Sequence, residues 1–181
     1  MREIAQRGLY YDELETDVRY VHSPGRTLTE ADNVLFTTLT MNTQSLHLDA
    51  AWAADQPFGQ RLVNSMLTLS TLVGASVAQL TQDTIVANLG FTEVAFPHPM
   101  LHGDTLYSST VVLGRRPSAS RPGQGIVTFE HQGHNQDGVL VARAVRSTLV
   151  WTRAAHEAAV APTGGPGAQA RDAVVPEGSA P

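Results

Sequence analysis

His47 is the residue of this sequence that best suits acid–base chemistry. Imidazole exchanges protons near neutral pH because its ordinary pKa is about 6.5. His47 lies between two leucines, a few residues after a predicted helix, and segments beside rigid elements often carry catalytic groups. Asp49, two residues later, could orient the ring by accepting a hydrogen bond from it. The structural alternatives are that His47 satisfies backbone groups at the helix end and that Asp49 caps the following helix.

Other reaction classes lack the residues that they require. The 181 residues include no cysteine, which excludes a thiol nucleophile, a cysteine-ligated zinc and an iron–sulfur cluster. All 12 basic residues are arginines, so a lysine Schiff base is excluded. His98 and His102 have the spacing of a metal pair on a helix, but Pro97 and Pro99 argue against a helix there. We therefore expect no metal and no cofactor.

Composition and charge indicate one globular domain. Apolar residues make up 42% of the chain and charged residues 16%, and the net charge of -5 argues against nucleic-acid binding. We expect one domain over residues 1–156 and a disordered tail over 157–181, where 15 of 25 residues are Ala, Gly or Pro. The N-terminal segment has no apolar run that predicts a signal peptide, and the apolar stretch 62–80 is too polar to span a membrane. We therefore expect a cytoplasmic location.

The first half of the chain has mainly helical patterns. A short strand is predicted at 18–22, and Thr27 and Glu30 have the spacing of a capping box. A helix at 30–40 follows, with Ala31, Leu35 and Leu39 recurring at helical spacing, and a shorter one at 50–54. The stretch 65–82 is apolar on nearly every side of a helical wheel, which indicates a helix surrounded by other structure.

The second half of the chain has the patterns of strands. Strand-like segments follow one another at 84–96, 105–113, 125–131 and 139–151, and Asp137–Gly138 between the last two is a hairpin signal. A long central helix wrapped by a curved antiparallel sheet accounts for both halves. The expected fold class is therefore α+β, with the hot-dog arrangement.

Three segments resemble the MaoC-like, R-specific enoyl-CoA hydratase branch of the hot-dog superfamily. They are 42–49 (NTQSLHLD), 61–67 (RLVNSML) and 96–106 (FPHPMLHGDTL), and with the strands the resemblance covers about residues 18–153. The resemblance implies an enzyme that adds water across the double bond of a 2-enoyl thioester, or removes it.

The resemblance also implies roles for particular residues. In the family an Asp and a His five residues apart bind and activate one water, and the corresponding residues here are Asn42 and His47. Asn42 lacks a proton-accepting carboxylate, so it can hold a water but cannot act as a general base. The donor to the thioester oxygen falls on the amide of Ser65, after Asn64, where the central helix presents unpaired N–H groups. Either residue could instead be only an N-cap, and Ser70, one turn further on, is expected to face the site.

The expected substrate is an acyl-CoA. Segment 42–49 resembles a branch linked with mesaconyl- or itaconyl-type substrates, whose free carboxylate would require an arginine, and Arg61 is the nearest candidate. Arg115, Arg116 and Arg121 are candidates for the CoA phosphates. The alternatives left open are a hot-dog thioesterase and a non-catalytic acyl-thioester-binding subunit of a dehydratase. Because the fold leaves a sheet edge exposed, we also expect a homodimer.

Overall fold

The computed structural model of the chain describes residues 1–2 and 4–160. A 3₁₀ turn at Tyr11–Glu13 precedes the first strand. The helices are α1 (Glu30–Leu39), α2 (Ser45–Leu48), α3 (Ala50–Ala54), α4 (Ser65–Leu80) and α5 (Arg153–Val160). The strands are β1 (Arg19–Val21), β2 (Arg26–Thr27), β3 (Ile85–Ala95), β4 (Thr105–Pro117), β5 (Gln124–His134) and β6 (Leu140–Trp151). The predicted order of helices and then strands is confirmed, whereas α2 and α5 were not predicted.

The strands form one antiparallel sheet. Its order is β1-β4-β5-β6-β3, with β2 also paired to β4. Every second residue of β5 is buried, from Gly125 to Gly133, which is the pattern of a strand with one face on the core. Strands β4 and β5 continue to Pro117 and His134, beyond their predicted ends at 113 and 131. The loop between β4 and β5 and the turn between β5 and β6 are therefore both shorter than the sequence predicted.

Helix α4 packs on this sheet through a single stripe of its surface. Thr68, Leu72, Ser76 and Leu80 are buried at a spacing of four residues. Leu72 belongs to a buried cluster near the start of the helix, and Leu80 belongs to a second cluster near its end. A long helix against an antiparallel sheet is the hot-dog arrangement, so the predicted α+β fold is confirmed. Part of the α4 surface remains exposed in the single chain, where Met66 is 46% exposed.

Helix α1 has the opposite orientation to the one that its apolar residues suggest. Leu35 and Leu39 are 60% and 74% exposed, whereas Asn33 and Thr37 are fully buried. The N-cap is Thr29, whose hydroxyl accepts from the amide of Asp32 at 3.2 Å. The capping box predicted at Thr27 and Glu30 is therefore displaced by two residues. Burial of an asparagine in preference to two leucines requires specific hydrogen-bond partners for its amide.

The chain leaves β6 directly into α5. This helix continues to Val160, so the tail predicted from residue 157 begins at least four residues too early. Residues 161–181, the remainder of that prediction, lie outside the described residues. None of the helices in the described part of the chain is both long and apolar enough to cross a membrane.

Candidate active site

A cavity of about 370 Å³ lies between α2, the start of α4 and the segment before β4. Its volume falls within the range of small-molecule sites. Most of its lining is apolar, and its polar side chains are His47, Ser65, Thr68 and His98. The apolar lining residues are Leu46, Phe58, Leu62, Val63, Phe96, Pro97, Pro99, Met100 and Val141. An apolar cavity with a few convergent polar groups suits a mainly hydrocarbon ligand that carries one reactive polar centre.

His47 lines this cavity from helix α2 rather than from the predicted loop. The side chain is half-buried, and its Nδ1 atom lies 2.9 Å from the carbonyl oxygen of Leu62. A carbonyl oxygen can only accept, so Nδ1 carries the proton and Nε2 of the neutral ring has a free lone pair. The tautomer is thus the one that a general base at Nε2 requires. None of the carboxylates in the described residues forms a hydrogen bond with this ring.

Asn42 and Asp49 both shape the backbone around α2. Asn42 Oδ1 accepts from the amide of Gln44 at 3.0 Å, which closes a turn before the helix. Asp49 accepts from the amide of Trp52 at 2.9 Å and so caps α3, the structural alternative named above. Neither residue lines the described cavity. The water-holding role of Asn42 and the orienting role of Asp49 remain predictions.

The start of α4 supplies the second polar group of the cavity. Asn64 is 3% exposed, and its Oδ1 atom caps the helix by accepting from the amide of Met66 at 2.9 Å. Ser65 follows at the first helical position and lines the cavity. Within the described part of the chain, no hydrogen bond uses the Ser65 amide. This N–H group, at the positive end of the helix dipole, is available to a ligand oxygen.

Three other predicted contact residues do not line the cavity. Ser70 is exposed, because it lies about half a turn from the buried Thr68, so the expectation that it faces the site is not met. Arg61 forms an ion pair with Glu30, and its side chain is largely covered. The Arg61 guanidinium holds the pKa of Glu30 below its ordinary value. Arg115 donates to the carbonyl of Tyr11 at 2.8 Å, on a different part of the surface.

Asn33 and His102 belong to the site but were not predicted. The Asn33 amide lies within 3.3 Å of the carbonyl oxygens of His47 and Leu62 and within 3.0 Å of His102 Nε2. Burial, followed by the charge of Arg61, lowers the pKa of His102, which favours the neutral ring. The available signal for Asn33 was a polar residue on the inward face of helix α1. The sequence alone does not show which face of this helix is inward.

His98 also lines the cavity. Its Nδ1 atom donates to the carbonyl of Leu140 at 3.0 Å, so this ring, like that of His47, has Nε2 free when neutral. The sequence identified His98 only as a poor metal ligand. Among the described residues, no group of three or more His, Asp or Glu side chains could hold a metal ion.

Comparison with known proteins identifies the family of the chain. The fold is that of a hot-dog protein with a cavity at the start of its long helix, and the family model described as MaoC like domain matches residues 13–135. The chain belongs to this family. It is 26% identical over 174 residues to a mesaconyl-CoA hydratase of Cereibacter sphaeroides, covering 94% of this chain and 50% of that protein. It is 27% identical over 170 residues to a beta-methylmalyl-CoA dehydratase of Chloroflexus aurantiacus, covering 94% of this chain and 45% of that protein.

A solved structure is likewise about twice as long as the part that this chain matches. A Mycobacterium tuberculosis protein with a double hot-dog fold matches with a TM-score of 0.71 and 25% identity, over 88% of this chain and 47% of that one. The chain thus spans about half the length of the curated relatives it matches.

Proposed function

We propose that this protein hydrates a 2-enoyl-CoA thioester, or catalyses the reverse dehydration. The observation that carries the proposal is the pairing, in one apolar cavity, of an imidazole with Nε2 free and a helix-start amide at Ser65. The hydratase and dehydratase activities named for the two relatives, of which this chain spans about half the length, are consistent with the proposal. A cytoplasmic location remains part of the proposal.

His47 is the proposed acid–base group. Its Nε2 lone pair takes a proton from water while the water oxygen bonds to the β-carbon. The electrons of the double bond move toward the thioester oxygen, and the resulting enolate accepts that proton at the α-carbon from the imidazolium. One ring can therefore complete the addition, which matters because Asn42 stands where the family has a carboxylate. Dehydration follows the same steps in reverse.

The Ser65 amide is the proposed donor to the thioester oxygen. Negative charge builds on this oxygen in the transition state, and a preorganised N–H group in an apolar cavity stabilises it without reorganisation. The donor is a backbone group, so the serine side chain is not required for it. Asn64 would contribute by fixing the first turn of α4.

Substitution of His47 tests the function directly. We expect His47→Ala to reduce the loss of enoyl absorbance from crotonyl-CoA or mesaconyl-CoA by about 10²- to 10⁴-fold. His134→Ala, a histidine outside the cavity lining, is the matched control and should keep wild-type turnover. Unchanged turnover in folded His47→Ala would remove the ring from the mechanism. Release of free CoA thiol would identify a thioesterase, and acyl-CoA binding without turnover would identify a binding subunit.

We further propose a dicarboxylic acyl chain, recognised by Arg61. The support is the substrate named for the Cereibacter sphaeroides relative and the largely covered position of this guanidinium beside His102. Because Arg61 lies outside the cavity lining and pairs with Glu30, recognition requires it to exchange Glu30 for the substrate carboxylate. Arg61→Ala should then lower kcat/KM for mesaconyl-CoA about tenfold more than for crotonyl-CoA, the loss expected for one charge-assisted pair. Arg153→Ala, which removes another ion-paired arginine outside the cavity lining, is the control. An unchanged ratio between the two substrates would exclude Arg61 from recognition.

A second copy of the chain is the proposed partner. Strand β3 forms one edge of the sheet, and Leu89 and Phe91 on it are 48% and 39% exposed. An eleven-residue edge with exposed apolar side chains is a pairing surface. If the β3 edges of two copies pair, the dimer contains about as many residues as one chain of the longer relatives. We expect a dimeric mass by light scattering and a monomeric mass for Phe91→Glu; a monomeric wild-type protein would contradict this.

A further inference from the structure

Asn33 connects four segments that meet at the site. It lies in α1 and is fully buried. Its Oδ1 atom accepts from the amide of Asn64 at 2.7 Å, immediately before the helix start. Its Nδ2 atom lies 3.2 Å from the carbonyl oxygen of His47, 3.3 Å from that of Leu62 and 3.0 Å from His102 Nε2. No other single side chain among the described residues bonds to both the His47 segment and the start of α4.

The orientation of this amide is fixed by its partners. A backbone N–H can only donate, so the atom that faces Asn64 must be the oxygen. Backbone carbonyls can only accept, so the atom that faces His47 and Leu62 must be the NH₂ group. The two N–H bonds of Nδ2 serve three acceptors, and one of them is therefore shared. His102 Nε2 must be unprotonated to be the third acceptor.

The two carbonyls define the environment of the catalytic ring. The carbonyl of Leu62 accepts from His47 Nδ1, and the carbonyl of His47 belongs to the residue that carries this ring. By bonding to both, Asn33 sets the separation between the donor and the acceptor of the His47–Leu62 hydrogen bond, together with the backbone hydrogen bond from the Leu62 amide to the Leu46 carbonyl at 3.1 Å. The same side chain holds the amide of Asn64, one residue before the Ser65 donor.

We propose that Asn33 is a positioning residue that fixes, together, the tautomer of His47 and the place of the Ser65 amide. The inference rests on the proposed function for its catalytic consequence, but not for its effect on the tautomer. Partners one shell away from reacting groups commonly change activity by about 10- to 100-fold when removed. The expected signature is a lower kcat at nearly constant KM, because the cavity lining remains in place.

Two variants separate the donor and acceptor functions of Asn33. Asn33→Ala removes both, whereas Asn33→Asp has nearly the same shape and keeps an oxygen for the Asn64 amide but loses the NH₂ group. In the wild-type protein, ¹⁵N imidazole spectra should show His47 protonated at Nδ1. Both variants should convert this to a mixture of tautomers and lower kcat for crotonyl-CoA about 10- to 100-fold, with KM within about threefold. Asn135→Ala, in the turn before β6, is the matched control and should change neither measurement.

The outcomes distinguish this inference from the proposed function. A wild-type protein without hydratase turnover, but with a tautomer that depends on Asn33, would overturn the function and support the positioning role. Active, folded variants with His47 still protonated only at Nδ1 would overturn the positioning role. If neither variant folds, the side-chain amide protons of wild-type Asn33 decide: exchange at least about tenfold slower than in Asn135 supports the role, and equal rates overturn it.

Discussion

Two buried polar networks cross the interior of this domain, and they differ in how completely their hydrogen bonds are made. The first, the site network, lies at the cavity and consists of Asn33, Thr37, His47, Asn64 and His102. The amide groups of Asn33 and Asn64 have partners for both their oxygen and their nitrogen. The site network therefore fixes its side chains without leaving a buried amide atom unpaired.

The second, the sheet network, lies in the middle of the sheet under α4 and consists of His22, Gln79, Thr110, His131 and Arg146. It ends in unpaired groups. Within the described residues, His131 Nε2 and two guanidinium nitrogens of Arg146 are buried and have no hydrogen-bond partner. Buried polar groups are stabilising only when they are paired. The comparison indicates that the site network holds its side chains in place, including the proposed acid–base group His47, whereas the sheet network costs stability and responds to pH.

The largest expected effect is the removal of the hydroxyl that joins the two histidines. Thr110 Oγ1 lies 2.7 Å from His22 Nε2 and 2.8 Å from His131 Nδ1. Thr110→Val keeps the shape but leaves two ring nitrogens without this partner, which should lower the free energy of unfolding by about 2–4 kcal/mol. Urea unfolding at pH 7.5 measures it. Thr128→Val, on the opposite face of the sheet, should lower it by less than about 0.5 kcal/mol; equal losses would show that the sheet network is not special.

The second largest expected effect is a loss of folding stability in acid, which arises from His131 in the sheet network. Burial, then the charges of Arg146 and His22, lowers the pKa of His131 from 6.5 to about 3. The unfolded chain therefore binds a proton below pH 6.5 that the folded chain does not. The resulting stability is complete above pH 6.5 and is lost progressively as the pH falls toward 3, by about 2 kcal/mol between pH 6.5 and 5.

Urea unfolding at several pH values between 7.5 and 5 tests this response, because carboxylates remain largely ionised over that range. Burial also lowers the pKa of His22, which adds to the loss with the same sign. His131→Gln should flatten the pH dependence. A wild-type stability that does not change from pH 7.5 to 5 would contradict the neutral, buried state of His131.

The third effect has the opposite sign. Arg146 is 4% exposed, lies over the ring of Phe129, and has its pKa lowered to about 10 by burial. Because no carboxylate among the described residues pairs with it, Arg146→Met should raise the free energy of unfolding by about 1–2 kcal/mol. Arg143→Met removes an arginine paired with Glu93 and Glu130 on the outer face and should not stabilise. A destabilised Arg146→Met would indicate that a ligand or a second copy pairs with this guanidinium.

The sequence could predict the elements that have local patterns, but not the contacts between distant residues that form the two networks. Strand β5 shows the period of two that burial of one face imposes. The burial of β3, β4 and β6 has no such period, so these strands were predicted from their residue types and from the turn signals between them. The apolar spacing predicted helix α1 but not its orientation, because Asn33 and Thr37 are buried in place of Leu35 and Leu39. His47 and Ser65 were predicted from segments that resemble the MaoC-like family, and both line the cavity. Asn33 and His102 meet across 69 positions of sequence, and no local pattern encodes such a pair.

The smallest expected effect is on the edge of the site network. Thr37 accepts from Asn64 Nδ2 through one long hydrogen bond of 3.3 Å. Thr37→Val should lower the free energy of unfolding by about 0.5–1 kcal/mol, less than Thr110→Val, because only one weak partner is lost. Since Asn33 still holds the Asn64 backbone and the Asn64 cap is intact, kcat/KM for crotonyl-CoA should stay within about threefold of wild type. A larger loss of activity than in Asn33→Ala would make Thr37, rather than Asn33, the residue that holds the helix start.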